Sequence, residues 1–226
     1  VTGLTGINFH GVGTPDRTLE PGEAPYWLSI SQFHDVLDQI AGASDSTCFT
    51  LTFDDSNLSD HDIALPALVA RGLRAQFFIL TGRIGQRGSL DTSHIKALSE
   101  AGMTIGSHGI NHVAWPRLSD AELEQELRLS RTRLEDICGH PVTEAGIPFG
   151  RYDARVLRAL HAAGYTAAWS SDGGKYRPQA FLRPRTSLRG DMTNPGIRAV
   201  LDGQMARSQQ LRRMVGMLRR RWLVTG

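Results

Sequence analysis

Short apolar runs alternate with longer amphipathic stretches along most of the chain. The runs have strand length and stop at polar or glycine-rich turns, and the stretches carry apolar positions at helical spacing. Leu4–Phe9 reads as a first strand ending at His10, and residues 48–53 as a second ending at Asp54 and Asp55. Residues 75–80, rich in Phe and Ile, predict a third, and 103–105 a short fourth ending near His108. Residues 144–147, 165–169 and 181–187 complete a set of about seven; the fifth ends near Pro148 and the sixth near Asp172.

Helices are expected in the gaps. Ser119 with Glu122 three residues on is a capping box, which starts a helix running to about Asp136. The stretches 95–100 and 152–163 stop at Gly102 and Gly164, good C-terminal caps. Pro66 suits the first turn of a helix ending near Gly72. Strands alternating with helices predict an α/β fold with a largely parallel sheet. In such folds sites are built at the ends of strands, where the polar residues of this chain collect.

Residues 197–222 read as one helix. Leu201, Met205, Leu211, Met214, Val215, Leu218 and Trp222 form an apolar stripe, and Arg207, Arg212, Arg213, Arg219, Arg220 and Arg221 a basic remainder. Such a helix can cover a barrel and solvate its outer face, or lie on an anionic membrane surface.

Bulk properties narrow the class. A chain of 226 residues suits one α/β barrel domain spanning 1–226, with 40% hydrophobic and 21% charged residues, a globular balance. A net charge of +2 gives no reason to expect nucleic acid. Cys48 and Cys138 are too few for a thiolate metal site or a disulfide framework and read as buried free thiols. No apolar run approaches the roughly 18 residues of a membrane span. No signal peptide is visible, which favours a cytoplasmic or membrane-associated location; the opening Val leaves a trimmed, secreted form open.

Two clusters carry chemistry. Asp54 and Asp55 follow an apolar strand, where alternating side chains can serve different tasks: one binds a metal while the other takes a proton. A solvated turn or an N-cap is the plainer reading of that pair alone. His108 and His112 lie four apart and share a face if the segment is helical; a surface or core pair is the plainer reading. Taken together, Asp55, His108 and His112 make a set of two imidazoles and one carboxylate, as catalytic zinc uses, with one position left for water. Asp54 is then placed to act as general base. Residues 147–150, Ile-Pro-Phe-Gly, fix a turn after a strand.

Thr-Phe-Asp-Asp at 52–55, His-Gly-Ile-Asn-His at 108–112 and Pro-Phe-Gly at 148–150 resemble, in order and distance, the motifs of the polysaccharide deacetylase (NodB-homology, carbohydrate esterase family four) superfamily. The resemblance runs from about residue 4 to 188 and implies a distorted (β/α) barrel of about seven parallel strands. It implies a divalent metal on Asp55, His108 and His112, zinc first, with nickel, cobalt or iron as the other candidates. It also implies Asp54 as base and the Phe149 N–H as an oxyanion donor.

Three departures stand out. Ser56 replaces the usual Gly. Gly146 stands where the family carries an Arg that orients the catalytic Asp. No His follows His161, so the C-terminal motif that supplies the general acid is missing. Asn-Phe-His-Gly-Val at 8–12 is similar to the N-terminal motif of a circularly permuted branch, which implies His10 as the acid. A strand-end histidine that merely packs is its plainer reading. Arg185 is the candidate for the missing Arg, though an Arg paired with a surface acid fits as well. Asp172 resembles a fourth motif that orients Arg185 or the acid. Trp115 and Tyr152 are candidate sugar platforms, with Tyr26, Trp27 and Trp169 behind them; packing is the plainer reading of each.

The implied activity is removal of N-acetyl groups from an amino-sugar polysaccharide, oligosaccharide or glycolipid, a hydrolysis of linear amides. The departures leave room for a non-sugar linear or cyclic amide on the same scaffold, or for an inactive glycan-binding homologue.

Overall fold

The computed structural model describes residues 3–205 and 207–223; the side chains of Arg207 and Gln209 lie outside that description. Six strands lie side by side in the order of the chain: β1 Leu4–Phe9, β2 Phe49–Phe53, β3 Ala75–Ile79, β4 Thr104–Ser107, β5 Glu144–Gly146 and β6 Ala167–Ser170. Each pairs in parallel with its neighbours. The predicted seventh strand is split by a single residue, Arg185, into β7 Leu182–Pro184 and β8 Thr186–Ser187. The first half pairs with β6 and the second with β1, so one short stretch bridges both ends of the sheet and brings it close to a closed barrel. The two-residue strand Lys175–Tyr176 adds an antiparallel pairing to β1.

Period-two alternation explains how β1 and β2 serve both core and site. Phe9, Phe53 and Phe77 are register partners across β1, β2 and β3, and their rings stack 5.0 and 4.7 Å apart on the outer, helix-covered face. Phe33 of α1 (Ile30–Ala41) meets Phe9 edge-on at 5.2 Å. Full burial of each such ring stabilises the fold by roughly 1.5–3 kcal/mol. The residues between them, Asn8 and Thr52, project into the barrel, and Asp54 follows in the same phase just past the end of β2.

The capping-box helix appears as α4, Asp120–Cys138, with Ser119 accepting the Glu122 N–H and Glu122 reaching back to the Ser119 N–H. It ends on Gly139 in the left-handed region at φ 72°. The stretches ending at Gly102 and Gly164 form α3 (Thr92–Glu100) and α5 (Ala154–Ala162). Pro66 opens α2 (Leu65–Val69), which continues from a π turn at Asp60–Ala64. Both cysteines are free and only half-buried, not fully buried as expected.

The C-terminal stretch is not one helix. α6 (Asn194–Leu201) and α7 (Arg207–Trp222) are separated at Gly203, whose φ of 65° no continuing helix adopts. Nor does the apolar stripe of α7 cover the barrel: Met217 packs against the α5 side, while Leu211, Met214, Val215, Leu218 and Trp222 face solvent.

Candidate active site

The chain turns sharply where β2 ends. Asp55 and Ser56 both adopt left-handed backbone, at φ 75° and 60°, which redirects Asp55 toward the histidines instead of continuing the strand. Glycine tolerates this region and serine does so at a cost of about 1 kcal/mol or more. Ser56 offsets that cost because its hydroxyl accepts the Leu80 N–H at 2.7 Å in a fully buried position.

The two histidines do not sit on a helix. Residues 108–112 form an irregular loop after β4, with Gly109 at φ 87°. Glu126 of α4 holds that loop in place of helical hydrogen bonds. Its carboxylate accepts the Ile110 N–H at 2.7 Å, the Asn111 N–H at 3.1 Å and the Asn111 side-chain amide at 2.8 Å. The loop brings the rings of His108 and His112 to 5.6 Å, each with Nε2 directed at Asp55.

Asp55 Oδ1 lies 3.5 Å from Nε2 of His108 and 3.5 Å from Nε2 of His112. The far nitrogens are engaged elsewhere. His108 Nδ1 is 2.7 Å from the Gly146 carbonyl oxygen, and His112 Nδ1 is 2.6 Å from Glu20 Oε2. These acceptors keep the proton on Nδ1 and turn the Nε2 lone pairs inward, the arrangement metal-binding histidines use. Asp55 Oδ1 is itself buried with no hydrogen-bond partner. Burial would raise the Asp55 carboxyl and the three surrounding histidines outweigh it, holding it well below the ordinary range. Burial would likewise lower His108, but Asp54 and Asp55 draw it upward, so the pocket favours positive charge. A buried carboxylate oxygen with no donor, facing two oriented imidazoles, fits a divalent cation. A second group, His61, Asp62 and His94, also clusters but is more exposed. There His61 bonds Asp62, and His94 Nδ1 accepts the Asp91 N–H that caps α3.

Asp54 is held apart from that set by Arg185, which is fully buried. Two guanidinium nitrogens donate to the two carboxylate oxygens at 2.9 and 2.6 Å, and Asn8 Nδ2 donates to Oδ2 at 3.1 Å. Arg185 also donates to Asn8 Oδ1 at 2.7 Å and Thr52 Oγ1 at 2.9 Å. Burial pushes Asp54 up, and Arg185, His108 and His10 more than compensate, so its carboxyl stays below the ordinary range. Gly146 and Gly6 make room for this arginine. A Cβ on Gly146 would stand 3.1 Å from the guanidinium and 2.8 Å from the Phe78 ring, and one on Gly6 2.8 Å from Arg185 Cβ. Arg185 thus packs against the position where the motif resemblance implies an arginine.

His10 and Phe149 line the same cavity of about 530 Å³ as Asp54, Asp55, His108 and His112. The His10 ring lies 4.8 Å from that of Tyr26, with Nδ1 buried and unpartnered. Burial lowers His10, outweighing the opposing pull of Asp55 and Asp54. Phe149 sits at φ 57° in the turn Pro148–Gly150, with its half-exposed ring stacked on His112 at 4.1 Å.

Other expected placements fail. Trp115 and Trp169 are wholly buried and Tyr152 nearly so, so none presents a ring face to the cavity. Trp115 and Tyr152 pack in the layer between the sheet and its helices, and Trp169 packs against Phe78 and Tyr176. Asp172 does not orient Arg185: it accepts from the Tyr152 hydroxyl at 2.8 Å and the Ser170 hydroxyl at 2.7 Å, and pairs with Arg220 of α7. It still lines the cavity wall. Sequence reasoning missed Glu20, Glu126 and Asn8. Glu20 lies in an irregular segment with no periodicity, and its carboxylate also pairs with Arg83.

Residues 41–168 match the family model described as polysaccharide deacetylase. Bacillus subtilis YxkH, whose name assigns it provisionally to the polysaccharide deacetylases, is 27% identical over 158 residues, 70% of this chain. The chain spans 53% of that relative's length. The fold is shared with the Streptococcus pyogenes deacetylase PplD solved with acetate, at a TM-score of 0.75 and 17% identity over 90% of this chain and 99% of that one. IcaB from Ammonifex degensii gives a TM-score of 0.73 and 19% identity over 88% and 96%. The family match takes in the carboxylate pair, both histidines and Phe149, and leaves His10 and Arg185 outside its bounds. Because it spans more than half of the sequence, and both motif clusters within it converge on one cavity, the chain belongs to the polysaccharide deacetylase family.

Proposed function

We propose that this chain is a metal-dependent hydrolase that removes N-acetyl groups from an amino-sugar-containing polysaccharide, oligosaccharide or glycolipid. The observation that carries this reading is the donor-free Asp55 Oδ1, 3.5 Å from two imidazole nitrogens whose outer nitrogens are already engaged. Asp55, His108 and His112 would hold the ion, zinc before nickel, cobalt or iron. When bound, such an ion polarises a carbonyl and acidifies water.

The chain's own residues account for the proton movements. Asp54 takes a proton from the attacking water as a new C–O bond forms at the acetyl carbon. Both oxygens accept from Arg185, and Oδ2 also accepts from Asn8, so Oδ1 is the oxygen that retains a lone-pair position for that proton. Arg185 keeps Asp54 ionised and fixes its plane. The Phe149 N–H donates to the oxygen on which negative charge develops. His10 delivers a proton to the amine nitrogen as the C–N bond breaks, releasing acetate and a free amino sugar. The exposed Phe149 ring and Tyr26 offer apolar faces to a sugar. The acetate in the Streptococcus pyogenes relative is the product class this reaction forms.

The test is acetate release from chitooligosaccharides and other N-acetylated glycans, with and without chelator, run beside small linear and cyclic amides. Chelator-sensitive release from the glycans supports the proposal. Turnover confined to the small amides would move the substrate off sugars. A zinc-loaded protein that cuts nothing but binds glycan would reduce it to a lectin-like homologue.

A further inference from the structure

The solvent-facing stripe of α7 is the largest feature the catalytic reading leaves unused. At 3.6 residues per turn, Leu211, Met214, Val215, Leu218 and Trp222 fall on one face of the helix. All five are between 51 and 80% exposed. Arg212 and Arg219 flank that face on one side and Arg221 on the other, all exposed. The opposite face holds the helix to the protein. Met217 is buried, Arg220 pairs with Asp172, and Arg213 donates to the Lys175 carbonyl at 3.2 Å. Two arginines are thus turned inward as anchors while the apolar side chains are turned out, the reverse of a helix that covers a core.

We infer that α7 is a docking helix for the surface of an anionic lipid bilayer, lying in the interfacial plane with its apolar stripe sunk among the acyl chains. An exposed apolar face bordered by arginines matches an interface that is apolar within and negative at its headgroups. α7 has no Asp or Glu, so a second copy of the same face would meet it with like charge on both flanks. No described helix is long and apolar enough to cross a membrane. The inner face of α7 contributes Arg213 to the wall of the cavity that holds Asp54 and Asp55. Docking would therefore set that cavity beside the lipid surface, within reach of membrane-proximal or lipid-linked glycans.

The experiment is vesicle co-sedimentation of the full chain, which needs no turnover and so stands apart from the deacetylase reading. Mixed phosphatidylglycerol–phosphatidylcholine vesicles are compared with phosphatidylcholine alone. The unmodified chain should bind the anionic vesicles and not the neutral ones, with binding weakened by salt. A Leu211→Gln, Val215→Gln, Leu218→Gln variant should lose binding by about tenfold or more. Its melting temperature should be preserved, since all three side chains are exposed and Gln is a good helix former. Arg212→Gln, Arg219→Gln, Arg221→Gln should lose the preference for anionic lipid. The inference is overturned if the unmodified chain ignores anionic vesicles, or if the apolar variant binds as well as it does. It is also overturned if sedimentation shows a dimer that the apolar variant abolishes.

Discussion

Arg185 grips both carboxylate oxygens of Asp54, at 2.9 and 2.6 Å, from 131 residues further along the chain. Gly146, against which the guanidinium packs, has no side chain to offer that carboxylate. Arg185→Met should destabilise the protein by about 3–5 kcal/mol in chemical denaturation, because it leaves a buried carboxylate uncompensated. The pH dependence should move too. With its pKa depressed, Asp54 contributes stability above the ordinary carboxylate range that is lost as pH falls through its lower folded value. Removing Arg185 raises that folded value, so the acid limb of the activity profile should shift to higher pH. An unchanged limb in a folded variant would remove Arg185 from the role of keeping Asp54 ionised.

Asp54 and Asp55 are neighbours with separable tasks. Asp54→Asn should reduce acetate release by at least about a hundredfold while the protein still binds one zinc. Asp55→Asn should lose both zinc and activity. Metal analysis alongside initial rates separates the two, and an Asp54→Asn enzyme that kept its rate would sink the assignment of the base.

Glu20 acts on the site through His112, accepting from Nδ1 at 2.6 Å. Glu20→Gln keeps the shape and weakens that acceptor. Zinc affinity, measured by competition with a chromophoric chelator, should fall by roughly 10–100-fold. The melting temperature without metal should move little, because Glu20 is more than a third exposed.

Ser56 carries a backbone that prefers glycine and a hydroxyl that glycine lacks. Ser56→Ala retains the left-handed strain and strands the buried Leu80 N–H, so a loss of about 1–3 kcal/mol is expected in urea unfolding. A neutral Ser56→Ala would mean that this hydrogen bond contributes nothing to holding the turn.

The strand set and the two metal-motif clusters were legible because they depend on local pattern. Apolar runs ending in Asp54–Asp55 and His108 mark strand termini whatever the surroundings, and the family motifs made their convergence expected. The condition under which His108 and His112 would share a helical face is not met, and a four-residue spacing says nothing of Gly109's left-handed backbone or of Glu126, which replaces helical hydrogen bonds from another element. Trp115 and Tyr152 were misplaced because aromatic composition does not distinguish a ring that fills a gap from one that faces a cleft. Arg185 was nameable only by asking what stands in for the arginine absent at 146. Its packing against Gly146 is a relation between distant strands that no local window holds.

The residue that divides the last strand also links closure of the barrel to the setting of Asp54. A polypeptide lacking the segment around Arg185 would have neither the guanidinium that pairs with Asp54 nor a strand to join β6 to β1. One segment thus completes both the sheet and, on the proposed mechanism, the surroundings of the general base.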